Sequence, residues 1–104
     1  MKIEEDIFKT YIPNEDKLLK YGFIKEKGQY KYSVYIMDNT FKVDIIIEND
    51  RVYGKIYDLE AQSEYTNFRV KDITGEFALS VKEEYQSILK DINCIFAYEQ
   101  DKKL

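Results

Sequence analysis

The chain has 104 residues, 44% of them hydrophobic and 35% charged, with 16 basic against 20 acidic side chains and a net charge of −4. That length suits one domain, residues 1–104, and the apolar fraction is too high for a disordered chain. No segment is basic: residues 2–29 carry six charges of each sign, residues 30–73 six positive and eight negative, and residues 74–104 four positive and six negative. Duplex nucleic acid is therefore a disfavoured partner, because phosphate recognition ordinarily needs a basic face.

The single cysteine, Cys94, excludes an intramolecular disulfide, and the absence of His removes His-based catalysis and most transition-metal sites. The opening residues Met1 to Asp6 contain no apolar signal core, and the longest aliphatic run is Ile45-Ile46-Ile47. These features predict a cytoplasmic protein that does not enter a membrane.

In chain order, Ile3, Ile7 and Phe8 fall at helical spacing. Pro13 separates this stretch from a second helix with Asn14 as N-cap and Glu15 and Asp16 in its first turn. Gly22 reads as the glycine that ends this helix, with Leu18 and Phe23 as the apolar pair of a Schellman motif.

Asp38-Asn39 and Asn49-Asp50 each read as a hairpin turn. The first places Ile36 opposite Phe41, Val34 opposite Val43, Tyr32 opposite Ile45 and Tyr30 opposite Ile47. The second places Ile47 opposite Val52, Ile45 opposite Gly54 and Val43 opposite Ile56. Both put Val43, Ile45 and Ile47 on one face, and a one-residue slip in either would destroy that agreement. On the other face Asp44 meets Lys55 and Glu48 meets Arg51.

A fourth strand is predicted over Tyr65 to Val70, with Phe68 and Val70 inward and Tyr65, Asn67 and Arg69 outward. A long helix follows from about Gly75 to about Tyr98, capped by Thr74. Its apolar stripe is Phe77, Val81, Tyr85, Ile88, Leu89, Ile92, Ile95 and Phe96, with Lys82, Glu83, Lys90 and Asp91 opposite. The tail from Glu99 to Leu104 should fray. The predicted architecture is α+β: a four-stranded antiparallel meander with N-terminal helices and a long C-terminal helix packed on one face, in the order α-β-β-β-β-α.

Tyr21-Gly22-Phe23, the hairpins through Phe41 to Ile47, Tyr57-Asp58-Leu59, Glu64-Tyr65-Thr66, and Thr74-Gly75-Glu76-Phe77 with Val81-Lys82-Glu83-Glu84-Tyr85 resemble the bacterial MmcQ/YjbR-type proteins. The resemblance is narrower to the N-terminal domain of the two-domain Firmicutes members and covers essentially the whole chain. It implies a DNA-binding label, and a frataxin-like C-terminal domain that is expected to be absent here. No functional residue of that second domain has a matching position.

Few residues carry chemistry. Gly22, Gly28, Gly54 and Gly75 are scattered singly and match no phosphate loop. Gly54, in mid-strand on the inner face, reads as room for the long helix. Cys94, beside Ile92 and Ile95, reads as a small packed residue and not a nucleophile. Asp38, Glu48, Asp50, Asp58, Glu60 and Glu64 sit near turns and read as solvated carboxylates, without the ligand alternation of a calcium loop. No cofactor and no metal are predicted, and the protein is expected not to be an enzyme.

The outer sheet face is the candidate site. The register puts Tyr35, Lys42 and Tyr57 in one cross-strand row and Lys31, Ile46 and Tyr53 in another. Lys55 is close by, and Tyr65 is expected beside Tyr57. The simplest reading is an exposed sheet with lysine stems lying over tyrosines. A protein interface or self-association comes next, since Tyr is enriched at interfaces. A nucleic-acid platform on which bases stack comes last. The predicted function is thus a non-enzymatic protein-interaction or accessory domain, with nucleic-acid binding as the alternative.

Overall fold

A computed structural model of the chain describes residues 3–8, 15–48, 51–70 and 75–103, the last nine as backbone only. Two short helices, α1 (Ile3–Ile7) and α2 (Glu15–Tyr21), lead into strands β1 (Ile24–Glu26), β2 (Gln29–Ile36), β3 (Phe41–Glu48), β4 (Arg51–Asp58) and β5 (Ser63–Tyr65). A 3-10 turn (Asn67–Arg69) and the long helix α3 (Glu76–Lys103) complete the chain. The strands form one antiparallel sheet in the order β1-β2-β3-β4-β5. The class is α+β, as predicted, but the sheet has five strands where the sequence predicts four.

The additional strand is β1, joined to β2 through Lys27-Gly28 with φ of 51° and 80°. Positive φ at both central residues is the type I′ hairpin geometry, which suits the twist of paired strands. α2 ends as predicted. The N–H of Phe23 donates to the carbonyl of Leu18 at 2.9 Å, Gly22 takes a φ of 131°, and both apolar partners are buried.

Both predicted registers hold at every pair. β2 and β3 align Ile36–Phe41, Val34–Val43, Tyr32–Ile45 and Tyr30–Ile47, and β3 and β4 align Ile47–Val52, Ile45–Gly54 and Val43–Ile56. In the first turn the positive-φ run begins one residue early, at Met37, and continues through Asp38 and Asn39. The second turn, Asn49-Asp50, lies outside the described residues, as do Pro13, Asn14 and Thr74.

β3 is central and strictly alternating: Phe41, Val43, Ile45 and Ile47 are buried. α3 covers this face with Val81, Tyr85, Leu89 and Ile92, all fully buried on one helical stripe. Burying a Val, Leu, Ile or Phe side chain is worth about 1.5–3 kcal/mol, so these residues supply most of the driving force. Phe77 departs from the predicted stripe: it touches Phe41 and Tyr65 but stays 53% exposed. The side chains of Ile95 and Phe96 are not among those described. α3 continues to Lys103, where a frayed tail is predicted. Glu99 to Lys103 contain neither Gly nor Pro, so nothing local stops the helix.

The predicted fourth strand is corrected more deeply. β5 pairs Ile56–Tyr65, Tyr57–Glu64 and Asp58–Ser63, and the chain then curls into the 3-10 turn instead of staying extended. Phe68 is buried as predicted, but Val70 is 54% exposed and Arg69 turns inward. The link from β4 is a tight loop in which Asp58 Oδ1 accepts from the backbone N–H groups of Glu60 and Ala61, at 3.0 and 3.1 Å. Asp58 therefore has a local structural task. Cys94, predicted to pack, is exposed on α3.

Candidate interaction face and the cluster beneath it

The outer face is built by alternate residues of five strands. The row Tyr35–Lys42–Tyr57 forms as predicted, and Glu64 extends it on β5. The row Lys31–Ile46–Tyr53 also forms, and Ile24 of β1 extends it. Between them lies Ser33–Asp44–Lys55. Six of the seven predicted site residues, Lys31, Tyr35, Lys42, Tyr53, Lys55 and Tyr57, therefore share one face.

Tyr65 does not join them. It pairs with Ile56 on the inner face, and its ring lies 4.9 Å from that of Phe41 and stacks 6.4 Å from Phe68. The reason is parity: the strand begins at Ser63 opposite Asp58, which puts Glu64 and not Tyr65 beside Tyr57. Ile24, exposed by 66%, is the outer-face residue that sequence reasoning misses. The Lys27-Gly28 turn is the signal that could have found it.

The charges of this face balance. Lys31, Lys42, Arg51 and Lys55 are offset by Glu26, Asp44, Glu48 and Glu64. Lys31 Nζ is 3.0 Å from Glu26, Lys42 Nζ is 3.8 Å from Asp44, and Ser33 donates to Asp44 at 2.6 Å. Lys55 has no ion pair among the described residues. The apolar relief is the row of Ile24, Ile46 and Tyr53, interrupted by Lys31, with Tyr35 and Tyr57 in the parallel row; Tyr35 is 54% and Tyr53 43% exposed. A polyphosphate would meet as many carboxylates as cations here, whereas a protein surface of mixed polarity would find both aromatic area and partners for its charges.

The opposite face contains a buried polar cluster. Glu4, only 4% exposed, receives two bonds from the Arg69 guanidinium, at 3.1 and 2.8 Å, and one from the Tyr85 hydroxyl. Arg69 also donates to the Gly54 carbonyl at 2.8 Å and lies over the Phe68 ring at 4.6 Å. Burial alone would raise the Glu4 pKa, but the bonds from Arg69 and then Tyr85 outweigh it and hold the carboxyl below its ordinary value of 4.5. Burial, then the Glu4 carboxylate, push the Tyr85 hydroxyl well above its ordinary value.

Gly54 makes the cluster possible. A Cβ there would overlap the Tyr85 hydroxyl, and would stand 2.8 Å from Tyr85 Cζ and 3.2 Å from Glu4 Oε2. The sequence reading of Gly54 as room for α3 is therefore correct, with Tyr85 as the occupant. A cleft of about 180 Å³ beside it is lined by Val52, Tyr53, Gly54, Glu64, Glu4 and Arg69.

This cluster ties α1 to β4, the 3-10 turn and α3. Both Glu4 oxygens are engaged and its carboxyl is a weaker base than usual, while Tyr85 is a weaker acid than usual. A second, exposed clamp ties α2 to β1 and β2: Glu15 accepts from Lys25 at 2.7 Å and from Tyr30 at 2.9 Å. Lys25, then Tyr30, lower the Glu15 pKa.

Among the described residues no group of three or more Cys, Asp or Glu side chains converges to hold a metal ion, and no helix is long and apolar enough to cross a membrane. No family model matches the chain, and neither the curated proteins nor the solved structures yield a match.

Proposed function

We propose that this protein is a non-enzymatic interaction domain that binds a protein partner through the outer face of its sheet. The supporting observation is the combination of exposed Tyr35, Tyr53 and Ile24 with a charge-balanced surround on a rigid five-stranded scaffold. Side chains on strands are held in fixed rows, so such a face presents its aromatic groups at little cost in conformational entropy. The resemblance to the MmcQ/YjbR-type proteins belongs to this proposal and rests on the sequence stretches alone; a cytoplasmic location is likewise part of the proposal.

The test compares proteins that co-purify with the wild type and with a Tyr35→Ser/Tyr53→Ser/Tyr57→Ser variant. The proposal expects a partner that is retained by the wild type and lost from a variant of unchanged fold. Identical co-purifying sets would refute it.

Nucleic-acid binding remains the second reading because Lys42 stands between Tyr35 and Tyr57 in one row and Lys31 shares the other with Tyr53. Its test is a titration with single-stranded and duplex oligonucleotides at low salt, read by amide chemical shifts. Salt-sensitive shifts clustered on Lys31, Lys42 and Lys55 would favour this reading over protein binding, and their absence would retire it.

A further inference from the structure

A different surface carries a more specific inference. β1 pairs with β2 only as far as Ile24–Lys31, so the rest of β2, Ser33 to Ile36, has no neighbour on that side among the described residues. The direction of its backbone groups follows from the hairpins. The pair flanking a two-residue type I′ turn is hydrogen-bonded, so Gln29 points its N–H and C=O toward β1. By alternation Lys31, Ser33 and Tyr35 point the same way, and the last two pass beyond the end of β1. The other side of the sheet agrees with this phase: Gly54, which stands opposite Ile45, directs its carbonyl outward to Arg69.

Below this open edge lies a groove of about 520 Å³ between β2 and α3. Val34, Ile36 and Ile88 give it an apolar floor, and Glu84 and Asp38 stand among its lining residues. Neither carboxylate is paired with a cation among the described residues, and no lysine or arginine lines the groove.

We infer that the open half of β2 accepts an extended peptide as a sixth strand, with small apolar side chains in the groove and basic side chains toward Glu84 and Asp38. Ser33 and Tyr35 each offer one N–H and one C=O to such a strand. The open stretch spans about 13 Å, enough for a segment of roughly four residues. Exposed strand edges are ready templates for pairing, and a groove alongside adds side-chain selection. A second copy of the chain is the less suitable occupant. A two-fold pairing of β2 with β2 would bring Glu84 and Asp38 toward their own counterparts between two chains of net charge −4.

The probe is the capped peptide Lys-Thr-Val-Thr-Val-Thr-Lys, titrated into isotope-labelled protein and followed by amide shifts. Its lysines and valines share one face. The expected result is saturable, salt-sensitive shifts at Ser33, Tyr35, Glu84 and Ile88. Binding should disappear when the central Thr of the probe becomes Pro, and weaken about fivefold when both lysines become Glu or the protein carries Glu84→Lys. A Tyr53→Ser variant should bind unchanged, which separates this site from the outer face. The inference is overturned if the probe causes no saturable shift, if the Pro or Glu probes bind equally well, or if Ser33 and Tyr35 shift on concentrating the protein alone.

Discussion

Replacing Arg69 by Met should loosen α1 from the sheet before it unfolds the rest of the domain. α1 has only five residues and docks through Ile3, Ile7, the adjoining Phe8 and the Glu4 carboxylate. A helix of that length has little stability of its own, so its place depends on these contacts. Arg69→Met removes two bonds to Glu4, one to the Gly54 carbonyl and a stacked cation, leaving Glu4 with the Tyr85 hydroxyl alone. Removing one partner of a buried ion pair typically costs about 3–5 kcal/mol. The Arg69 side chain is 27% exposed, so water can reach the abandoned carboxylate, and the lower end, about 3 kcal/mol, is expected.

Amide hydrogen exchange at Phe8, whose N–H donates to the Glu4 carbonyl at 2.9 Å, reports local release, and urea unfolding reports the global loss. Protection in α1 should fall first and furthest. The double variant Glu4→Leu/Arg69→Met should be less destabilised than the sum of its single variants by about 1–3 kcal/mol, because it leaves no orphaned charge. The pH dependence has a definite sign. Glu4 has a folded pKa below 4.5, so its contribution is present above that pH and is lost as the pH falls through the folded value. Glu4→Gln should flatten that part of the acid limb. Additive single variants, together with an unchanged acid limb in Glu4→Gln, would refute the ion-pair reasoning.

Three further outcomes follow from the packing. Gly54→Ala should destabilise by about 3 kcal/mol or more in urea unfolding, because the new methyl group overlaps Tyr85, and Tyr85→Leu should partly rescue it. Gly22→Ala should cost about 1–2 kcal/mol in the same assay, since its φ of 131° is unfavourable for an L residue and the Tyr32 ring lies 3.1 Å from the new Cβ. In alkali, burial pushes the Tyr21 hydroxyl up to about 12, and Tyr85 is also raised, so neither ionises with an ordinary phenol. Stability from both is complete below pH 10 and declines as the pH rises further, and the ultraviolet phenolate titration should show a smaller step near pH 10 in native protein than in urea.

The parts of the fold that are legible in the sequence are those where two local signals constrain each other. The Asp38-Asn39 and Asn49-Asp50 turns place the same β3 residues inward, and six outer-face residues follow from that register alone. The Leu18–Gly22–Phe23 helix ending is legible because only glycine takes its backbone conformation cheaply. β1 is hard to read because it has three residues, all exposed, so no burial pattern marks it. Arg69 and Tyr65 are misplaced for one shared reason. An extended reading through Val70 alternates correctly at Phe68, but the strand ends at Tyr65 and a 3-10 turn rotates Arg69 inward. Glu4 carried a usable sign: it shares the helical face of Ile7 and Phe8, where a carboxylate requires a partner. Which cation would supply it depends on a contact 65 residues away, beyond any local pattern.

The most direct test of the outer face as the binding surface is photo-crosslinking in the cell, with benzoylphenylalanine placed singly at Tyr35, Tyr53 or Tyr57 and, as controls, at Glu83 and Lys90 on the exposed side of α3. If the outer face binds protein, the three sheet positions give the same discrete crosslinked partner and the helix positions do not. If the sheet positions give no partner, or only what Glu83 and Lys90 also give, the outer face is not where this domain acts.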